Sequence, residues 1–141
     1  MPKKEFRAII GHLGIEVSSL KKSRKFYETL LKALGCKIIM DENGGLGMGN
    51  KNFQVWISEG KTPRIKRLPP TGEEMVVAEH VAFFVSDKAS VDKVADTMKK
   101  GGFEPLFAPA EYPEFVPGYY AVSYCDPDNY VIEIHTIPER K

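Results

Sequence analysis

One stretch of this chain occurs twice, and nothing else in the sequence restricts its fold so strongly. From Gly11 it reads GHLGIEVSSLKKSRKFYETLLKALGCKII, and from Glu79 it reads EHVAFFVSDKASVDKVADTMKKGGFEPL, with His12 and His80 in register. Self-similarity of this kind marks a supersecondary unit used more than once, whose apolar face is buried only when copies meet. Each copy begins with a histidine on an alternating apolar strand, followed by a Ser or Asp turn and a helix. Tyr27, Leu30, Leu31 and Leu34 recur at i, i+3, i+4 and i+7, as do Val91, Val94, Ala95 and Met98. Each set therefore forms one buried helix face packed on a sheet, which makes Tyr27 a core residue. Ser18 or Ser19, and Ser86 or Asp87, can accept from the orphan amides at the helix starts, while Gly35 and Gly101 suit the left-handed turns that end them. The copies close on similar strands, Asn52-Phe53-Gln54-Val55-Trp56-Ile57 and Asn129-Tyr130-Val131-Ile132-Glu133-Ile134. These lie further apart in sequence than the two histidines do, so the second copy carries an insertion.

That insertion falls mostly between Glu104 and Gly118, where Pro105, Pro109, Pro113 and Pro117 alternate with Phe107, Tyr112 and Phe115. The composition fits a lid or rim loop packed by its own side chains, and equally a loop with only a structural role. Between the copies, Gly60 to Thr71 carries Lys61, Arg64, Lys66 and Arg67 among three prolines and reads as a solvated connector. The glycine-rich run Asp41 to Asn50 has no helix after it, so it is a hairpin turn and not a phosphate cradle.

With 141 residues, 43% of them hydrophobic, the chain can bury one real core but not two. Twenty basic against 19 acidic side chains leave a formal charge of +1 with both signs dispersed, which excludes a stripe for a nucleic-acid backbone. No stretch approaches the roughly 18 apolar residues of a membrane span, and the start, MPKKEF, runs into a strand instead of a signal-like run. A soluble cytoplasmic protein is expected. Cys36 and Cys125 are too few and too far apart for a disulfide framework or a CxxC pair, and both read as small buried residues.

Phe26-Tyr27 with Leu30 and Leu34-Gly35, and above all GYYAVSYCDPDNYVIEIH from Gly118 to His135, resemble the vicinal oxygen chelate superfamily of glyoxalases, bleomycin-resistance proteins and extradiol dioxygenases. The resemblance spans nearly the whole chain. The family pattern closes its last hairpin with DPDG before a strand bearing a metal-ligand Glu, and Asp126-Pro127-Asp128-Asn129 leading to Glu133 matches with Asn in place of Gly. Asparagine is the next residue after glycine to tolerate positive φ. The resemblance implies an α+β fold of two βαβββ modules, forming a curved mixed sheet, or cup, with helices on its outer face. It places a single domain over 1–141, with module one at about 8–59, a linker at about 60–76 and module two at about 77–137.

Residues two apart on a strand share a face. His12 therefore lies with Gly14 and Glu16, His80 with Ala82 and Phe84, and Glu133 with Val131 and His135, while Leu13, Ile15, Val17, Ile132 and Ile134 feed the core. Carried over position by position, the resemblance makes His12, His80 and Glu133 ligands of a divalent ion such as Fe, Zn, Ni or Mn. Two imidazoles and one carboxylate leave positions open for a chelating substrate. The fourth ligand position, aligned with Glu133, holds Trp56, which can neither ligate nor take a proton, so a glyoxalase I mechanism is disfavoured. The remaining set is the one the resemblance associates with extradiol dioxygenases and with metal-dependent transferases acting on fosfomycin. Trp56, Phe84 and Gln54 are candidate substrate contacts, and Glu16 and His135 are candidates for proton transfer by face alone. Tyr120 and Tyr124 share a face that is either cup or core. The expected function is a metal-dependent enzyme, whether dioxygenase, lyase, isomerase or transferase, acting as a homodimer on a small oxygen-rich molecule. The alternative is a metal-free protein of the bleomycin-resistance type that sequesters a small molecule or drug.

Overall fold

The computed structural model describes residues 8–60 and 80–138. The opening MPKKEF and nearly all of the expected connector lie outside the described residues. Module one runs β1 (His12–Val17), α1 (Leu20–Ala33), β2 (Lys37–Glu42), β3 (Gly45–Gly49) and β4 (Gln54–Glu59). Module two repeats the order as β5 (His80–Phe84), α2 (Lys88–Lys100), β6 (Phe107–Glu111), β7 (Tyr120–Cys125) and β8 (Val131–Thr136). The eight strands hydrogen-bond as two mixed four-stranded sheets, ordered β1-β4-β3-β2 and β5-β8-β7-β6. This is the expected α+β architecture of two βαβββ modules. In each sheet the first and last strands of the module pair in parallel, which requires the helix as crossover, and the others pair antiparallel.

Both helices start and stop where their sequences dictate. Ser19 caps α1 by accepting from the Lys22 amide at 3.3 Å, and Asp87 caps α2 by accepting from the Ser90 amide at 2.7 Å. Gly35 takes the left-handed turn after α1 at φ 82°. After α2 that turn falls to Gly102 at φ 87°, not to Gly101 as expected, because Gly101 stays right-handed as the C-cap, where an added Cβ would approach the Thr29 side chain of α1 to 3.1 Å. Tyr27, Leu30 and Leu31 from α1 and Val91, Val94 and Met98 from α2 enter a single core with Ile57, Val122, Tyr124, Ile132 and Ile134. Tyr27 is thus a core residue as expected, and so is Cys36, whereas Cys125 is only half-buried.

The two modules are joined by apolar and polar contacts. Phe26 meets Phe103 edge-on at 5.4 Å between centroids, and Phe53 meets Phe83 at 5.1 Å. The DPDN turn supplies the polar part. Asp128 accepts from the Ser18 amide at 2.9 Å and the Ser18 hydroxyl at 2.5 Å, while Asp126 accepts the Tyr27 hydroxyl at 2.5 Å. Asn129 sits at φ 63°, the positive-φ position that its substitution for glycine requires.

Two sequence expectations need correction. The insertion is not one loop, because Phe107–Glu111 forms β6 at the sheet edge. Pro109 hides that strand in the sequence; the register shifts between Phe107 and Ala110, and an edge strand with a bulge is where a proline is tolerated. Nor is Asp41 to Asn50 mainly a turn, since only Asn43 and Gly44 make the turn of the β2–β3 hairpin. Gly45, Gly47 and Gly49 lie on one face of β3, and the indole of Trp56 covers the space where a Gly47 side chain would be. A Cβ there would stand 2.6 Å from Trp56 Cζ3. Gly47→Ala is expected to displace the indole and destabilise the fold by about 1–3 kcal/mol. Trp56 is the chain's one tryptophan, so an emission spectrum identical to that of the unsubstituted protein would contradict the contact.

Candidate functional site

Register shows which positions of the two modules correspond. In the first sheet His12 faces Gln54 and Gly14 faces Trp56; in the second His80 faces Val131 and Ala82 faces Glu133. His12 and His80 are therefore equivalent, and Trp56 occupies the position of Glu133, as the repeat implies. The faces divide as expected. Val17, Phe83, Ile132 and Ile134 join the core, whereas His12, Glu16, His80 and Phe84 are exposed on the opposite faces.

Of the three expected metal ligands, the structure brings two together. His80 Nε2 lies 3.2 Å from Glu133 Oε2, and Glu133 is only 8% exposed. Donors that share an ion at bonds of about 2.0–2.2 Å stand about 3–3.4 Å apart, so this spacing fits one coordination sphere. His12 lies on the other sheet, and among the described residues no three His, Cys, Asp or Glu side chains are grouped to hold a metal ion. Gln54, an expected substrate contact, accepts a hydrogen bond from Trp56 Nε1 at 3.1 Å, and both belong to the face of His12. Glu16 lies on that same face at the far end of β1, opposite Ser58, on the sheet that does not hold the His80–Glu133 pair. His135 and Phe84 lie beside the pair, edge-on to each other with centroids 5.9 Å apart.

Sequence reasoning missed Tyr119. Its hydroxyl donates to Glu133 Oε1, and its ring stacks on His135 at 5.1 Å and 14°. Burial, then the hydrogen bond to Glu133, raise the Tyr119 phenol far above its ordinary range. The phenol therefore remains a proton donor. Tyr119 closes a small loop in which the Tyr112 amide donates to the Tyr119 carbonyl at 2.8 Å, and Phe115 stacks on Tyr112 at 5.6 Å while meeting Tyr119 edge-on. Residues 112–119 are thus the part of the insertion packed by its own side chains. The signal in the sequence was parity: Ala121 and Ser123 face His135 and Glu133, so Tyr119 extends that side of β7. Tyr120 and Tyr124 take the other side. Tyr124 is in the core, and the Tyr120 hydroxyl donates to Asp92 of α2 at 2.6 Å, a bond that pushes its phenol up to about 12.

A family model described as the Glyoxalase/Bleomycin resistance protein/Dioxygenase superfamily matches residues 9–134. The chain is 28% identical over 123 residues to the protein YqjT of Bacillus subtilis (strain 168), a match covering 87% of this chain and 94% of that one. Among solved structures, the lactoylglutathione lyase of Agrobacterium tumefaciens superposes with a TM-score of 0.65 at 17% identity, over 94% of this chain and 96% of its own. The fosfomycin resistance protein FosX of Listeria monocytogenes superposes with a TM-score of 0.65 at 19% identity, over 94% and 95% respectively. At these identities the two structures speak to the fold. No helix among the described residues is long and apolar enough to cross a membrane.

Proposed function

Because the chain belongs to the Glyoxalase/Bleomycin resistance protein/Dioxygenase superfamily, we propose that it is a divalent-metal-dependent enzyme acting on a small oxygen-rich molecule. The observation that carries this reading is the approach of His80 Nε2 to Glu133 Oε2 on the face of the second sheet turned away from the core. An imidazole and a carboxylate in that position suit Zn, Fe, Ni or Mn. The third donor is His12, which the repeat makes equivalent to His80. Since His12 stands on the other sheet, we assign it to a site completed by a second copy of the chain, in a homodimer whose modules meet crosswise. When bound, such an ion would supply Lewis-acid chemistry, stabilising negative charge that develops on substrate oxygens.

The chain's own residues divide the remaining work. Glu133 and His80 would hold the ion, Tyr119 holds Glu133, and Phe84 offers an apolar surface next to His135. Trp56 and Gln54, hydrogen-bonded to each other, would form the wall contributed with His12. Trp56 also bears on the reaction. It stands where a second carboxylate would be, so the base that an isomerase needs at that position is missing, and chemistry of the lactoylglutathione lyase kind is disfavoured relative to the transferase, lyase or ring-opening chemistry of the superfamily.

Elemental analysis of protein purified without chelator tests the reading. About one equivalent of a transition metal per chain is expected, falling below about a tenth in His80→Ala. Less than that tenth in both proteins, supplied with each of the four metals, would favour the metal-free sequestering role of the bleomycin-resistance type.

A further inference from the structure

The two oxygens of Glu133 have different partners. Oε2 faces His80 Nε2 at 3.2 Å, and Oε1 accepts the Tyr119 hydroxyl. We propose that Tyr119 is a positioning residue that reserves Oε1 for itself and leaves Glu133 only Oε2 with which to bind a metal ion. The inference rests on the metal site argued above and adds how its carboxylate is held.

Three observations carry it. First, Tyr119 is not free to turn away. Its ring is stacked on His135, its amide donates to the Val116 carbonyl at 3.0 Å, and its carbonyl accepts the Tyr112 amide. Second, the preceding residue fixes the approach. Gly118 takes φ 80°, and a Cβ there would stand 2.5 Å from Pro138 Cγ, so the chain enters Tyr119 in a conformation that side chains other than glycine rarely adopt. Third, the hydroxyl is the correct group for the task. A phenol donates one hydrogen bond to a carboxylate oxygen, and a carboxylate bonded in this way on one oxygen is oriented for coordination through the other. The same division limits Glu133 to one coordination position, which keeps more positions open for a chelating substrate. The Tyr112, Phe115 and Tyr119 ring cluster then ties the 112–119 loop to the metal ligand.

Tyr119→Phe separates the hydroxyl from the ring, because phenylalanine keeps the stack on His135. Titration with Co(II), followed by its visible absorption band, is the measurement, with Glu133→Gln and Tyr120→Phe beside it. Tyr119→Phe is expected to weaken Co(II) binding by about ten-fold or more. Its residual complex should show a weaker, shifted band, as Oε1 becomes available and the coordination number rises. Glu133→Gln should lose binding, and Tyr120→Phe, whose hydroxyl lies on the helix side, should match the unsubstituted protein. An affinity in Tyr119→Phe within about two-fold of the unsubstituted protein, with binding lost in Glu133→Gln, overturns the positioning role alone. An unchanged band overturns the one-oxygen assignment whatever the affinity. Undiminished Co(II) binding in Glu133→Gln overturns this inference and the metal site together.

Discussion

Replacing Asp126 by alanine is expected to lower the unfolding free energy by about 3 kcal/mol, the sum of three hydrogen bonds at roughly 1 kcal/mol each. Asp126 is 3% exposed, and both its oxygens accept hydrogen bonds. Oδ1 accepts the amides of Asp128 and Tyr130, both at 2.8 Å, and Oδ2 accepts the Tyr27 hydroxyl at 2.5 Å. The alanine variant leaves a phenol that is itself 1% exposed without its acceptor, in the middle of the contact between the modules. Asn50 occupies the corresponding turn of module one. Its Oδ1 accepts the amides of Asn52 and Phe53 at 2.8 and 3.1 Å, and its Nδ2 donates to the Leu34 carbonyl at 3.2 Å. Module one thus shows that an amide can hold this turn, so Asp126→Asn should cost less than about 1 kcal/mol, the Tyr27 hydroxyl rotating to accept from Nδ2.

The charge adds a pH dependence of definite sign. Burial raises the Asp126 carboxyl above its ordinary value, against the opposing pull of Tyr27 and the two amides. The folded state therefore keeps the proton at pH values where the unfolded chain, near about 3.9, has released it. The contribution is fully present below the unfolded value and is lost as pH rises through the folded one. Asp41, held well below the usual carboxylate range by Arg24, acts in the opposite direction, but it is present in both proteins and cancels in the comparison. Urea unfolding of the unsubstituted protein and Asp126→Asn from pH 3 upward should show the advantage of the aspartate shrinking as pH increases. A difference that stays flat or grows would contradict the burial-dominated shift, and an alanine variant as stable as the asparagine one would remove the three-bond account.

How far the sequence discloses this arrangement depends on whether a feature has a period. The helix stripes through Tyr27 and Val91, the exposed faces of His12 and His80, and the equivalence of Trp56 with Glu133 all follow from periods of 3.6 or 2 acting on a repeat, and these were legible. The positive φ of Asn129 was legible because turn chemistry is local. Strand β6 was not, since Pro109 breaks the strand signal and only the pairing with β7 outweighs it. Gly45, Gly47 and Gly49 looked like a turn because glycine carries no hydrophobic signal. Their alternation acquires meaning only once Trp56 is seen lying across Gly47. The hydrogen bonds of Asp126 to Tyr27 and of Asp128 to Ser18 join residues remote in sequence, so no local rule anticipates them. The same limit governs His12. A repeat determines what pairs within a module, but which module lies opposite which depends on packing between them.

Mixing His12→Ala with Glu133→Gln is expected to restore metal binding that neither variant has alone. If each site takes His12 from one subunit and His80 with Glu133 from the other, either substitution in a homodimer disables both sites. In a mixed dimer the two lesions fall in one site, where His12 is missing and Glu133 is replaced, and the other site has all three donors intact. Random reassortment makes half of the dimers mixed, each with one working site of two, so bound metal should recover to about a quarter of the unsubstituted level. His80 and Glu133 stand 3.2 Å apart in one module, and His12, the third donor we propose, is on the other sheet of the same chain. Co-expression or joint refolding followed by elemental analysis makes the measurement, with light scattering to count subunits. A mixture that binds no more metal than its components would place all donors in one chain or none. A mass of one chain for the unsubstituted, metal-loaded protein would exclude the shared site outright.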